Sequence, residues 1–208
     1  MKVLFFGDSI TDALRNRELL YGEESLGYGY VKQVAARLRV MGFAEEDIIN
    51  RGIIGDRIVD LYARIKVDCW NHKPDFISIL IGVNDVWQEI TNNNGVEVDR
   101  FEKLYRIMIE DTKKALPNVQ IMLCEPFVLP GRETESFEKF LPVYDYAAVV
   151  KKIANEYGLY FLPLQDRLRE EAGKSNAKDY LSDGVHPAEK GAKLIAEEWL
   201  KVFAQRRV

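Results

Sequence analysis

Short apolar runs alternate along the chain with segments of helical period. Five runs predict strands, and one of them, "FISILIG", is nearly continuously apolar, which is typical of a strand buried on both faces of a sheet. The predicted strands are Lys2–Phe6, Asp47–Asn50, Phe76–Ile81, Val119–Cys124 and Tyr160–Leu162.

The segments between these runs repeat apolar residues every three or four positions, which predicts amphipathic helices. The stretches with this pattern are "YVKQVAARLRVMG", "DRIVDLYARIKV", "DRFEKLYRIMIEDTKKAL", "YAAVVKKIANEYG" and "PAEKGAKLIAEEWLKVFAQ". Alternation of strand and helix favours an α/β fold with a parallel sheet and helices on both faces. We find no repeat or linker, and we expect one domain over residues 1–208.

Three longer segments show neither period and predict irregular loops: Arg15–Gly29, Gln88–Val98 and Phe127–Ser136. Long loops in a compact domain often determine specificity. Ligands of open α/β sheets bind at the carboxyl ends of the strands, so the residues that directly follow each predicted strand are the candidates for function.

Composition excludes several classes of partner. The chain has 208 residues, 47% of them apolar and 30% charged, with a net charge of −4. This balance provides no basic surface for nucleic acid or for an anionic membrane. The two cysteines form no C-x-x-C pair, and Cys124 lies in an apolar run that predicts a buried thiol. The first apolar run is too short for a signal peptide, so we expect a cytoplasmic protein.

The chain has only two histidines, and their positions differ in kind. His72 leads into the third predicted strand, at the opposite edge from the carboxyl ends, and we interpret it as structural. His186 precedes Pro187 at the start of the last predicted helix, where proline is favoured. His186 is either a residue of the helix entry or the base that a serine nucleophile requires.

Two further residues complete a possible serine-hydrolase triad. Ser9 follows the first predicted strand in "GDSIT", where serine also caps helices. Asp183 lies three residues before His186, and a short turn through Gly184 would bring its carboxylate to Nδ1 of that histidine. The alternative is that Asp183 only caps the turn. Together the three residues predict nucleophile, base and orienting carboxylate.

Ester hydrolysis also requires donors to the developing oxyanion. Three candidates follow three different predicted strands: the backbone N–H of Ser9, the backbone N–H of Gly52 in "NRG" and the side-chain amide of Asn84 in "GVND". Gly52 could instead be a turn glycine, and Asn84 could form an Asx turn. These alternatives do not account for all three lying at one edge.

These blocks resemble the GDSL, or SGNH, hydrolase family, whose second name lists its four functional residues. The matching residues are Ser9, Gly52, Asn84, and His186 with Asp183, in the family's order. The resemblance implies a three-layer α/β/α, flavodoxin-like fold with a mostly five-stranded parallel sheet. It also implies hydrolysis of acyl esters through an acyl-enzyme, with no metal and no cofactor.

A longer similarity covers "FFGDSITDALR", "NRGIIGDRIVDL", "KPDFISILIGVNDVWQEI" and "DGVHPAEKGAKLIA". These segments resemble bacterial intracellular acetylxylan esterases, which implies acetylated xylo-oligosaccharides as substrate and favours a homo-oligomer. Arylesterase, thioesterase and lysophospholipase activities of the same family stay open. Trp87, Tyr28 and Phe127 are candidates for the wall of the substrate site, and packing is the alternative for each.

The turn after the first predicted strand also suits two other classes of function. A Mg²⁺-dependent phosphohydrolase would use Asp8 as nucleophile, although Ile10 stands where such enzymes usually place a second carboxylate. A binding module without catalysis would hold a phosphate at the Ser9–Thr11 loop. The second alternative leaves Asn84 and the Asp183–His186 pair without a role.

Overall fold

A computed structural model describes residues 1–206 of the chain. Its five strands form one sheet in which all neighbouring pairs are parallel, in the order β2-β1-β3-β4-β5. The strands are β1 (Val3–Gly7), β2 (Ile48–Gly52), β3 (Phe76–Leu80), β4 (Gln120–Cys124) and β5 (Tyr160–Leu162). The chain passes from β1 to β2 on one side of β1, and then crosses to β3 on its other side. A crevice therefore opens between the carboxyl ends of β1 and β3.

Eight α-helices surround this sheet within residues 1–206. They are α1 (Ser9–Asp12), α2 (Tyr30–Val40), α3 (Ile58–Asp68), α4 (Val83–Asn92), α5 (Val98–Ala115), α6 (Val143–Tyr157), α7 (Gln165–Gly173) and α8 (Glu189–Phe203). The three-layer α/β/α fold and the five-stranded parallel sheet are confirmed, and each predicted strand lies within two residues of its observed bounds.

Adjacent residues of β1 show how the layers form. Phe5 faces α2 and α8, with its ring centroid 5.9 Å from that of Tyr30 and 5.2 Å from that of Trp199. Phe6 faces the other layer, where the Arg64 guanidinium of α3 lies 4.4 Å from its ring centroid. Successive side chains of a strand point to opposite faces, so both faces of the buried sheet are covered by helices.

The aromatic residues of α8 belong to this core. Trp199 and Phe203 are fully buried, and the Trp199 indole donates a hydrogen bond to Ser78 Oγ at 2.9 Å. Helix α8 therefore packs its aromatic side against the sheet and α2. Both cysteines are free and buried, as predicted for Cys124.

One predicted loop is partly helical. Helix α4 extends to Asn92, so the first part of the predicted irregular segment Gln88–Val98 continues a helix. Val83, Val86, Trp87 and Ile90 have the spacing of an amphipathic helix, which the prediction did not use. Within residues 1–206, no helix combines the length and apolar character needed to cross a membrane.

Candidate active site

The turn after β1 presents Ser9 at the centre of the sheet's carboxyl edge. Asp8 caps the short helix α1 by accepting a hydrogen bond from the Ile10 N–H on Oδ1 at 2.9 Å. Ser9 is the first residue of α1, where a backbone N–H has no partner within the helix. The hydroxyl and the N–H of Ser9 are therefore both available at the crevice.

Ser9, His186 and Asp183 form a continuous chain of hydrogen bonds. Ser9 Oγ lies 3.0 Å from His186 Nε2, and His186 Nδ1 lies 2.7 Å from Asp183 Oδ2. Asp183 Oδ1 also accepts from the backbone N–H groups of Val185 and His186, at 2.9 and 2.8 Å. The turn through Gly184 (φ +103°) thus brings the carboxylate back to the imidazole.

The pKa values of this pair favour the ionised carboxylate. Burial by itself raises the pKa of Asp183, but the hydrogen bonds from the His186 ring and the two backbone N–H groups lower it to about 2. The hydrogen bond to Asp183 raises the pKa of His186 above its ordinary value, against the effect of burial. An ionised Asp183 holds the tautomer of His186 that leaves Nε2 free to accept a proton.

Gly52 does not offer its N–H to the crevice, which corrects the prediction for this residue. The Gly52 N–H donates to Asn50 Oδ1 at 2.9 Å inside the protein. A Cβ at Gly52 would lie 2.2 Å from the Asp12 backbone nitrogen, so glycine is required for close packing of β2 against α1. The Asn50 amide also donates to the Thr11 and Leu26 carbonyls, which holds α1 in place.

Gly55 is the glycine of the same block that keeps a free N–H. Its φ is +86°, and its N–H donates to no atom within residues 1–206. The neighbouring Asp56 carbonyl accepts from Asn84 Nδ2 at 3.1 Å, so the amide of Asn84 lies beside this loop with its second proton unused. The register of β1 and β2 explains the difference between the two glycines. Gly52 pairs with Gly7, and Ser9 lies two residues beyond Gly7, so a group that faces Ser9 lies beyond Gly52 in the chain.

One arginine of α3 connects the loops that carry these groups. Arg64 donates from Nη2 to the Gly7 carbonyl at 3.1 Å and from Nε to Asp56 Oδ2 at 2.6 Å. It also donates from Nη1 to the Arg51 carbonyl and to Asp68, each at 2.9 Å. A single guanidinium therefore links the residue before the nucleophile turn to the loop next to Gly55.

Two carboxyl groups lie buried beneath the site. Asp8 and Asp85 are each 1% exposed, and each accepts one backbone N–H on Oδ1, from Ile10 and Ile58 respectively. Burial raises the pKa of Asp8 to about 7 and that of Asp85 to about 8. Because Asp8 is enclosed and used as a cap, its position does not favour a role as nucleophile.

The three aromatic candidates for the substrate wall have different surroundings. The Trp87 ring lies 5.8 Å from the His186 ring and 5.9 Å from that of Phe140, and Tyr28 is 75% exposed beside the crevice. Phe127 is 0% exposed within the core. The prediction that Phe127 contacts substrate is therefore wrong, because the chain turns that side chain inward after β4.

A cleft of about 360 Å³ adjoins Ser9 and His186. Its other lining residues are mostly apolar: Ile10, Ala13, Leu14, Tyr28, Gly29, Ile54 and Pro187. Within residues 1–206, no three or more histidine, cysteine or acidic side chains are arranged to hold a metal ion. The geometry combines an oriented serine and histidine with free N–H donors and an apolar cleft, which suits attack on an uncharged ester.

Comparison with known families agrees with this geometry. The model of the GDSL-like lipase/acylhydrolase family matches residues 5–194, which contain Ser9, Asn84, Asp183 and His186. The chain belongs to this family. It is a carboxylic ester hydrolase.

Three relatives show where this esterase lies within the family. An acetylxylan esterase of Geobacillus stearothermophilus is 34% identical over 96% of this chain and 92% of its own. A crystal structure of an acetylxylan esterase from this organism is 32% identical, with a TM-score of 0.84 over 99% of this chain and 94% of its own. A structure solved as a GDSL-like lipase of Parabacteroides merdae is 36% identical, with a TM-score of 0.92 over 98% of this chain and 95% of its own. An isoamyl acetate-hydrolysing esterase of Saccharomyces cerevisiae is 26% identical over 97% of this chain and 85% of its own.

Proposed function

We propose that this esterase hydrolyses short-chain acyl esters, acetyl esters above all, through an acyl-enzyme on Ser9. The observation that carries the proposal is the unbroken hydrogen-bond chain from Ser9 Oγ through the His186 ring to Asp183. A serine hydroxyl is a weak nucleophile unless a neighbouring base accepts its proton during attack.

The proposed reaction gives each group one role. Ser9 Oγ attacks the acyl carbonyl carbon while its proton passes to His186 Nε2, and Asp183 stabilises the imidazolium. Collapse of the tetrahedral intermediate breaks the bond to the alcohol oxygen, which takes the proton from His186. Water then attacks the acyl carbonyl carbon and gives a proton to His186. Collapse of the second tetrahedral intermediate breaks the bond to Ser9 Oγ, which takes this proton from His186, and acetic acid leaves and ionises in water.

We assign the oxyanion site to the Ser9 N–H, the Gly55 N–H and the Asn84 side-chain amide. The support is that each has a proton with no partner within residues 1–206, whereas the Gly52 N–H is used by Asn50. Each well-placed donor contributes on the order of 3 kcal/mol to the transition state.

For the natural substrate we propose acetylated xylo-oligosaccharides. The support is the likeness to an acetylxylan esterase along nearly the whole chain, together with Trp87 and Tyr28, whose rings could pack on a sugar. An acetyl ester of an apolar alcohol is the second candidate, favoured by the apolar lining of the cleft. The homo-oligomer remains a prediction that light scattering of the purified protein would test.

The experiment that tests the mechanism is Ser9→Ala, assayed with phenyl acetate, against Ser175→Ala, an exposed serine far along the chain. We expect kcat of Ser9→Ala to fall by about 10⁶ while Ser175→Ala keeps full activity. A fluorophosphonate should label the parent protein once, on the peptide containing Ser9. Near-normal hydrolysis by Ser9→Ala would refute the proposal.

The substrates are separated by a panel at equal concentration: acetylated xylobiose, phenyl acetate and ethyl esters of increasing acyl length. We expect the highest kcat/KM with acetyl as the acyl group, and acetylated xylobiose above phenyl acetate if the sugar is the natural alcohol. Preference for long acyl chains would refute the acetyl assignment and leave the serine mechanism intact.

A further inference from the structure

Three large apolar side chains stand exposed around the cleft beside Ser9. Leu14 is 72% exposed, Tyr28 75% and Ile54 51%, and all three line the same cleft as Ser9 and His186. Single exposed apolar residues are common on protein surfaces and need no explanation. Three from separate segments that converge on one cleft next to a nucleophile indicate a binding surface.

The turn that presents Leu14 is backbone-strained. Ala13 (φ 44°) and Leu14 (φ 62°) are consecutive residues in the left-handed region, which non-glycine residues rarely adopt. The Leu14 N–H donates to Asp12 Oδ1 at 3.0 Å, and the Ala13 carbonyl accepts from the Tyr28 N–H at 2.8 Å. Strain of this kind persists where surrounding contacts enforce it, and it is concentrated at functional sites.

The same turn is attached directly to the nucleophile. The Ala13 N–H donates to the Ser9 carbonyl at 2.9 Å, and the Tyr28 N–H bond joins the other side of the turn. The positions of Leu14 and Tyr28 are therefore set relative to Ser9 by backbone hydrogen bonds. Ile54 lines the same cleft from the loop after β2.

We propose that Leu14, Tyr28 and Ile54 form a subsite that binds an apolar face of the ester's leaving alcohol. The inference rests on the proposed serine mechanism, because His186 must protonate the leaving oxygen and therefore lies next to the alcohol. His186 and Pro187 line this cleft together with the three apolar residues, which places the cleft on the alcohol side.

The lining also defines the chemistry of the alcohol. Apart from Ser9 and His186, Tyr28 is the one lining residue with a polar side-chain group. An alcohol bound here gains mainly from burial of C–H surface, which an alkyl chain, an aryl ring or the C–H face of a pyranose each provides. Hydroxyl groups of a sugar would have to point out of the cleft.

The test changes the alcohol and keeps acetyl as the acyl group. Leu14→Ser and Ile54→Ser are assayed with ethyl, hexyl and phenyl acetate and with acetylated xylobiose. The control is Val40→Ser, which changes a still more exposed apolar residue at the far end of α2. Ethyl acetate is the internal reference, because its two-carbon alcohol has the least C–H surface to bury in the subsite.

We expect kcat/KM for hexyl and phenyl acetate to fall about tenfold in each subsite variant, with ethyl acetate changed less than about twofold. Val40→Ser should leave all ratios unchanged. The ratio between two substrates in one preparation does not depend on the folded fraction, so partial unfolding of a variant does not affect it. A parallel fall for acetylated xylobiose would identify a sugar face as an occupant, and its absence would restrict the occupant to alkyl or aryl groups.

An unchanged ratio of hexyl to ethyl acetate in both variants would overturn the inference. So would a selective loss with ethyl hexanoate relative to ethyl acetate, because the cleft would then hold the acyl chain. Neither result affects the proposed serine mechanism, which fails only if Ser9→Ala remains active.

Discussion

At the scale of single residues, the site depends on where each hydrogen-bonding group finds its partner. The two histidines show this. Asp183 bonds to His186 and raises its pKa, whereas burial, with Arg51 nearby, lowers the pKa of His72. The same side chain thus becomes a stronger base at the crevice and a weaker one at the opposite edge of the sheet.

We expect NMR titration to resolve these two histidines, with the midpoint of His186 above the ordinary value of about 6.5 and that of His72 below it. In the proposed mechanism the neutral ring accepts the serine proton, so kcat/KM should fall as pH drops through the His186 midpoint. The imidazole signal that is lost in His72→Gln belongs to His72, and the remaining one belongs to His186. In Asp183→Asn the His186 midpoint should move to lower pH, and a His186 midpoint below 6.5 in the parent protein would contradict the assignment.

Asn84 gives a second test at this scale. Replacement by alanine removes one of the proposed donors to the oxyanion, so we expect kcat to fall by about 10²–10³ with little change in KM. Asn118→Ala, at an exposed asparagine, is the matched control. A rise in KM at constant kcat would instead place Asn84 in ground-state binding.

At the scale of elements, the site is assembled from loops that separate strands carry to one edge. Arg64 of α3 joins two of these loops, because it bonds to the Gly7 carbonyl and to the Asp56 carboxylate. The backbone carbonyl of Asp56 in turn accepts a hydrogen bond from the side-chain amide of Asn84. The helix that covers the sheet therefore also sets the spacing between the turn that carries Ser9 and the loop that carries Gly55, which we propose for the oxyanion site.

We expect Arg64→Met to lower kcat by about 10- to 100-fold, with a smaller change in KM, because the loops lose their common anchor. The value is measured per active serine, titrated with a fluorophosphonate, so that a folding defect is not counted as a catalytic one. Arg64→Lys should recover part of the rate. Arg106→Met removes surface ion pairs with Glu102 and Glu156 on the outer helices and should leave kcat unchanged. An unaltered kcat per titrated site in Arg64→Met would contradict this role.

At the scale of the whole molecule, burial of ionisable groups couples stability to pH. Burial raises the pKa of Asp85 to about 8, against an ordinary value of 3.8, so the folded protein holds this proton over a range where the unfolded chain has released it. The contribution of Asp85 to the free energy of unfolding is therefore fully present below about pH 4. It decreases as pH rises above this value and is lost once pH has passed through about 8.

We expect Asp85→Asn to lose less stability than the parent protein between pH 5 and pH 8, by a few kcal/mol at about 1.4 kcal/mol per pKa unit. Asparagine keeps an oxygen that can accept the Ile58 N–H and carries no charge at any pH. Urea unfolding at the two pH values measures the difference, and Asp99→Asn, an exposed aspartate of α5, is the control. Equal pH dependence in parent and Asp85→Asn would contradict the buried, protonated state.

The sequence alone predicts the strands, most of the helices and four of the residues that we propose for the site: Ser9, Asn84, Asp183 and His186. These features are encoded locally: strand and helix periods repeat over a few residues, and Asp183 reaches His186 within one turn. No helix is predicted over α4, because its apolar pattern begins immediately after a strand. Gly55, which we propose for the oxyanion site, lies three residues after the predicted Gly52, and the reason for this difference is not local.

Only the tertiary structure decided which backbone N–H groups are free, which aromatic residues are exposed and what forms the cleft. Gly52 and Gly55 differ because Asn50 uses the N–H of the first, and that bond depends on how the chain leaves β2. Phe127 is buried and Tyr28 exposed because the sheet and helices enclose one and not the other. Leu14, Tyr28 and Ile54 meet only once separate loops are brought together, and no local pattern of side chains records such non-local contacts.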